Sequence, residues 1–243
     1  MRRLKCFALA SLTLLFAAPA TAAPTTPLRH MSFSFTMTNT STTERQGSGL
    51  TDSGGVSNGA AIQRSSARRD DKGDINADIL AATSDGGLVV RTSENGNEIR
   101  SPAEIAIKGD GTILTTAQTV LTEEQKYILA FLGRNLMPFT EASVGKTWTI
   151  SYETAKGGTD LTTLRITAIE DPVVHLAVRR EIKNRAGAYD MTLTGNIDYD
   201  YKRVVPTGGS LQTFTHQQGA DGLQTGQGLL TFSLKEDSFT KRS

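Results

Sequence analysis

Apolar and polar residues alternate most strictly between His30 and Thr38. The apolar positions are Met31, Phe33, Phe35 and Met37, and Ser32, Ser34 and Thr36 stand between them. Successive side chains of a β-strand point to opposite faces, so this pattern predicts a strand with one buried face and one solvated face. The next stretch is polar, rich in glycine and without a period, and we interpret residues 40–58 as a loop.

One later stretch follows the helical period instead. Thr122 precedes Gln125 by three residues, which is typical of a capping box at a helix start. Apolar residues then recur at helical spacing, and these are Ile128, Phe131, Leu132 and Leu136. Pro138 cannot continue a helix, so the pattern predicts one helix over residues 123–136.

Strand-like alternation returns after Gly145 and continues almost to the end of the chain. Trp148, Ile150 and Tyr152 share one face of the first of these strands. Short glycine-containing pairs are interpreted as turns, for example Gly195-Asn196 and Gly208-Gly209. The polar run at 70–73 is interpreted as a turn as well. Connections this short force neighbouring strands to run antiparallel. We therefore predict a mainly β fold, a curved antiparallel meander forming an open half-barrel with the central helix packed on it. A two-sheet β-sandwich is the alternative.

The N-terminus has the pattern of a secretory signal peptide. Arg2, Arg3 and Lys5 precede an apolar run that is too short to span a membrane, and Ala20-Thr21-Ala22 forms an A-x-A cleavage site. This predicts a leader over 1–22, a linker over 23–29, and a single β-rich domain over 30–243. The protein is then periplasmic or extracellular in a bacterium, with no transmembrane anchor in the mature chain.

Composition narrows the function further. The formal net charge is +1, and three of the 26 basic residues lie in the leader, so the mature chain is close to neutral, which argues against a nucleic-acid partner. The single cysteine, Cys6, also lies in the leader. The mature chain therefore has no thiol for catalysis, a disulfide or a metal. No cofactor-binding motif is present, and we predict no cofactor.

Carboxylates were the remaining candidates for chemistry. Asp74, Asn76 and Asp78 share one face of a predicted strand, but their spacing does not match a calcium-binding loop. Asp190, Asp198 and Asp200 lie on polar strand faces, where nothing indicates the burial that acid–base catalysis needs. His30, His175 and His216 show no metalloprotease spacing. We therefore assign no catalytic and no metal-binding residue.

Two resemblances bear on the class of protein. Pro-Phe at 138–139, followed by Val-Gly-Lys-Thr-Trp at 144–148, resembles an element of uncharacterised secreted bacterial β-rich proteins. This resemblance implies a secreted β protein and no known activity. The overall design also resembles, at the level of fold, bacterial lipoprotein-carrier half-barrels.

These observations support two hypotheses. The first is a secreted, non-enzymatic binding module that holds an apolar or lipid-like small molecule between sheet and helix. The side chains expected to line the ligand cavity are Met31, Phe33, Phe35, Phe131, Trp148 and Tyr152. The alternative is a structural or protein-interaction protein of the bacterial envelope, whose partner is another envelope protein.

Overall fold

The computed structural model describes residues 26–46, 62–97, 99–116, 118–133, 135–136, 142–153, 157–184, 189–219 and 222–240. The first five strands are β1 (Arg29–Gln46), β2 (Ile62–Ala82), β3 (Leu88–Asn95), β4 (Ile99–Ile107) and β5 (Ile113–Leu114). After the helix α1 (Glu123–Leu129) come β6 (Thr147–Glu153), β7 (Thr159–Glu170), β8 (Val173–Lys183), β9 (Tyr189–Asp200), β10 (Val205–Gly219) and β11 (Gly222–Phe239). The predicted leader and the Pro-Phe pair at 138–139 lie outside the described residues.

These strands form one antiparallel sheet in the order β5-β4-β3-β2-β1-β11-β10-β9-β8-β7-β6. The sheet is curved and does not close, which confirms the predicted half-barrel meander and not the sandwich. β1 lies near the middle and pairs with both β2 and β11. The strands before the helix therefore join those after it in a single sheet.

The long strands β1 and β2 correct two sequence predictions. β1 continues to Gln46, so the predicted loop at 40–58 is wrong for residues 40–46, while 47–61 lie outside the described residues. β2 runs without a break through the predicted turn at 70–73. β2 offers β1 a backbone partner along the whole length of β1, from Arg29 opposite Ile79 to Gln46 opposite Ile62. This pairing satisfies the backbone whatever the polarity of the side chains.

Two predicted glycine turns are also wrong, because β9 and β10 pass straight through them. Gly195 pairs with Leu211, and Gly209 pairs with Ile197. A Cβ atom at Gly195 would lie 2.0 Å from the backbone oxygen of Ser210. These glycines therefore permit a close approach of two paired strands, which is the other common role of glycine in a sheet.

The helix begins where the sequence predicts. Gln125 N donates to Thr122 Oγ1 at 3.1 Å, and Thr122 N donates to Gln125 Oε1 at 3.0 Å, which completes the capping box. The α-helix ends at Leu129 and a 3-10 turn continues to Leu132, so the predicted end at 136 is wrong. Gly133 is extended, and a Cβ there would lie 2.4 Å from Gly111 N. The chain leaves the helix at the point where it crosses the β4–β5 turn.

The helix lies on the concave face of the sheet and touches strands on both sides of it. Thr122 Oγ1 donates to Glu94 of β3 at 2.5 Å, and the Tyr127 hydroxyl donates to Met191 Sδ of β9 at 3.6 Å. Ile128 is fully buried against the strands. No helix in the described part of the chain is long and apolar enough to cross a membrane.

Candidate functional site

A cavity of about 530 Å³ lies between the helix, the β4–β5 turn and the concave face of β6 to β9. Most of its lining is apolar. The apolar side chains are Ile113, Leu121, Ala130, Phe131, Leu136, Ile150, Val178, Ile182, Met191 and Leu193. Alternation along β6, β8 and β9 places Ile150, Val178, Ile182, Met191 and Leu193 on the same side of the sheet, because every second side chain faces the helix.

Two ion pairs supply most of the charge around this cavity. Arg180 on β8 donates to Asp160 on β7 through two hydrogen bonds of 2.9 and 2.6 Å. Lys126 and Glu123, one helical turn apart, are joined at 2.7 Å. The first pair lies largely inside the concave face and the second is half exposed, with side-chain exposures of 29% and 12% against 46% and 52%. The cavity therefore has an apolar body and a charged border.

Tyrosines complete the border. The Tyr152 hydroxyl, on the edge strand β6, donates to the backbone oxygen of Asp110 in the β4–β5 turn at 3.4 Å. This contact joins the two ends of the curved sheet on one side of the cavity. Burial and the carboxylate of Glu123 raise the pKa of the Tyr127 phenol well above its ordinary value. Burial raises the pKa of Tyr189 in the same way, with a smaller contribution from Glu123.

A second, smaller cavity of about 360 Å³ adjoins the first. It shares Glu123, Tyr127 and Tyr189 with the larger cavity. Its remaining lining is mostly polar or glycine, including Asn39, Thr40, Ser41, Thr213, Thr215, Gly226 and Gly228. The lining of the concave face thus changes from apolar over β6 to β9 to polar at residues 39–41 of β1, 213–215 of β10 and 226–228 of β11.

The six residues that the sequence predicts to line a ligand cavity do not lie together in the structure. Phe131 and Tyr152 line the larger cavity. Met31, Phe33 and Phe35 are buried in the core under the middle of the sheet, where the Phe33 ring meets that of Phe232 edge to face at 6.4 Å. Trp148 is partly buried, with Lys146 Nζ 5.8 Å from its ring centre. A role for these residues in ligand binding stays a prediction.

Sequence reasoning missed the Arg180–Asp160 pair, although a signal for it exists. Val174, Leu176 and Val178 alternate along β8 and are buried. Arg180 follows two residues later and is therefore in phase with them. A charged residue at an apolar position of an alternating strand indicates a buried partner or a cavity.

The carboxylates considered for chemistry do not converge. Lys235 donates to Asp74 at 3.0 Å, and Asp78 lies 2.7 Å from His30 Nδ1. Asp198 lies 2.6 Å from His175 Nδ1, whereas Asp200 accepts from the backbone of the β9–β10 turn. Within the described residues, no group of three or more His, Cys, Asp or Glu side chains could hold a metal ion.

Comparison with known proteins gives a distant structural likeness. No family model matches the chain, and no curated protein matches it. A solved structure described as "lipid-protein interactions in lipovitellin" aligns with a TM-score of 0.45 and 9% sequence identity. The alignment covers 90% of this chain and 26% of the lipovitellin chain, so this chain spans about a quarter of that protein's length.

Proposed function

We propose that the protein is a non-enzymatic binding module that holds an apolar or amphipathic, lipid-like small molecule in the cavity between helix and half-barrel. One observation carries this proposal: a cavity of about 530 Å³ with a mainly apolar lining and a few polar groups at its border. Small-molecule sites in proteins have this composition and fall in the range of about 300–1,000 Å³. The signal-like leader and the resemblance to secreted bacterial β-rich proteins support a periplasmic or extracellular location as part of the same proposal.

The cavity volume sets the scale of the ligand and of its affinity. At about 30 Å³ for each water-sized group, the space holds roughly 18 non-hydrogen atoms. Ligands of ordinary quality gain about 0.3 kcal/mol per atom, which gives about 5 kcal/mol and a dissociation constant on the order of 0.1 mM. A neutral aromatic probe of this size, N-phenyl-1-naphthylamine, is therefore expected to bind with a dissociation constant on the order of 0.1 mM.

The test is a fluorescence titration of this probe against a variant that fills the cavity. Thr162 lines the cavity from β7, and Thr162→Trp would place a large indole in it. Thr163→Trp is the matched control, because the next residue of the strand points to the opposite, convex face. We expect Thr162→Trp to weaken binding at least tenfold and Thr163→Trp to leave it unchanged. Equal loss in both variants, or no binding by the wild-type protein, would contradict the proposal.

A second function, binding an envelope protein, is favoured by a different observation. Residues 63–70 of β2 are exposed along their whole length, so both faces of this part of the strand meet solvent. A surface of this kind is available to a protein partner. Chemical crosslinking in the intact envelope tests this function, and recovery of the uncrosslinked monomer alone would count against it.

A further inference from the structure

Acidic side chains outnumber basic ones around the large cavity. Among the described lining residues, four carry a carboxylate and two carry a cation. The carboxylates belong to Asp110, Glu123, Glu153 and Asp160, and the cations to Lys126 and Arg180. Each cation already contacts one of these carboxylates, Lys126 at 2.7 Å and Arg180 at 2.6 Å. Glu153 follows Tyr152 on β6, so alternation turns its side chain to the convex face. One carboxylate, that of Asp110, therefore remains in excess of the lining cations.

The arginine is poorly placed to receive an anionic ligand. Both the Nε and the Nη2 atoms of Arg180 donate to the two oxygens of Asp160. A two-pronged contact of this type occupies the face of the guanidinium that recognises carboxylates and phosphates. A fatty acid or a phosphate head group would have to displace Asp160 before it could bind there.

Aromatic side chains surround the same space. Tyr127, Phe131, Tyr152 and Tyr189 all line the cavity. The face of an aromatic ring carries partial negative charge and attracts a cation within about 6 Å, and groups of such rings recognise quaternary ammonium ions. The aromatic rings and the excess negative charge at Asp110 therefore favour the same kind of head group.

The pKa values of the three phenols indicate how costly a negative charge is at the border of this cavity. Burial raises the pKa of Tyr127, Tyr152 and Tyr189 above the ordinary value, and carboxylates raise it further. Glu123 acts on Tyr127 and Tyr189, and Asp110 acts on Tyr152. Ionising a phenol places a negative charge at the border of the cavity, as an anionic head group would. Burial disfavours a charge of either sign, so only the contributions of Glu123 and Asp110 distinguish an anionic head group from a cationic one.

We propose that the cavity selects amphiphiles with a cationic head group, such as a trimethylammonium or an amine, over amphiphiles with an anionic one. This inference rests on the proposed function and specifies its ligand class. The alkyl chain would occupy the apolar part beneath the helix, and the cation would lie beside the tyrosines, near Asp110.

The experiment compares three amphiphiles that share a dodecyl chain, each below its critical micelle concentration. Dodecyltrimethylammonium, dodecyl maltoside and dodecyl sulfate compete with N-phenyl-1-naphthylamine for the full-length mature protein. We expect the trimethylammonium compound to bind about tenfold more tightly than the sulfate, with the maltoside between them. Equal or tighter binding of the sulfate overturns the head-group inference alone. If neither the probe nor any amphiphile binds, the proposed function fails as well.

A pair of charge variants tests whether the cavity carboxylates cause the preference. Asp110 lines the cavity from the β4–β5 turn and accepts from Thr112 N at 2.9 Å, so Asp110→Asn removes a charge and keeps an oxygen that can accept this bond. Asp190→Asn is the matched control, because Asp190 is exposed on the face of β9 that does not line the cavity. Asp110→Asn should reduce the preference for the trimethylammonium compound about two- to threefold. An unchanged ratio in Asp110→Asn, or an equal change in Asp190→Asn, overturns the assignment.

Discussion

Replacing Arg180 with methionine removes one half of the ion pair beside the cavity and leaves the other half largely buried. Asp160 is only 12% exposed and accepts two hydrogen bonds from Arg180. An exposed ion pair contributes about 0–1 kcal/mol, whereas breaking a buried pair costs about 3–5 kcal/mol because one charge stays uncompensated. Since Arg180 itself is 29% exposed, we expect an intermediate loss of about 2–4 kcal/mol in the free energy of unfolding. For a domain of this size, the melting temperature falls by on the order of 10 °C.

The double variant Arg180→Met with Asp160→Leu separates the cost of an unpaired charge from the value of the pair. Replacing a whole buried pair by apolar residues is often neutral or stabilising, so most of the lost stability should return. Urea unfolding followed by circular dichroism measures all four corners of the double-mutant cycle. Arg68→Met, in the exposed pair with Asp70, is the control and should leave stability unchanged. The reasoning is refuted if Arg180→Met unfolds like the wild type, or if the double variant is no more stable than Arg180→Met.

Other perturbations test the electrostatics and packing of the sheet. The hydrogen bond to Asp198 raises the pKa of His175 in the folded protein, so its stabilisation is present below about pH 6.5 and is lost as pH rises through the raised value. His175→Gln should therefore lower stability to urea at pH 5 but not at pH 9, and an equal loss at both would contradict this. Burial raises the pKa of Glu94, so its ionised form destabilises the fold as pH rises above about 4.5. Glu94→Gln should melt at a higher temperature than wild type at pH 8, with the gain disappearing near pH 4; a constant difference would count against this cause. Gly195→Ala forces a Cβ to within 2.0 Å of the Ser210 oxygen and should cost about 1–3 kcal/mol by calorimetry, and unchanged stability would show that the strands can separate.

Much of the fold could be predicted because local sequence patterns determine it. Alternation from Met31 to Met37 identified β1, and the spacing of Thr122 and Gln125 identified the start of the helix. The errors arose where the deciding partner is distant in the chain. Residues 40–46 have a polar sequence, yet they are a strand because residues 62–68 pair with all of them on one side and residues 223–227 pair with 40–44 on the other. Secondary-structure propensity depends on residues close in sequence, so it does not include the effect of such a distant partner.

The candidate site was predictable only in part, for a similar reason. Apolar alternation shows which face of a strand is buried, but not whether a neighbouring element fills the space above it. Met31 and Phe33 lie on β1 in the middle of the sheet, where the core is solid, whereas the cavity lies over β6 to β9. Tyr152 and Phe131 line the cavity because they belong to the edge strand and to the segment that faces it, and their role in ligand binding stays a prediction. Whether an inward-facing residue lies in the core or at the cavity depends on the order of strands in the sheet, and alternation along one strand does not show that order.

Native mass spectrometry of the mature protein, purified without detergent from its own source, shows whether the cavity holds a ligand. We expect a bound mass in a one-to-one ratio that extracts into organic solvent and has a size suited to a cavity of about 530 Å³. Loss of this mass from Thr162→Trp, with retention in Thr163→Trp, would place the ligand beside the helix. A protein that carries no such mass, and that takes up no N-phenyl-1-naphthylamine when it is added, would contradict the account.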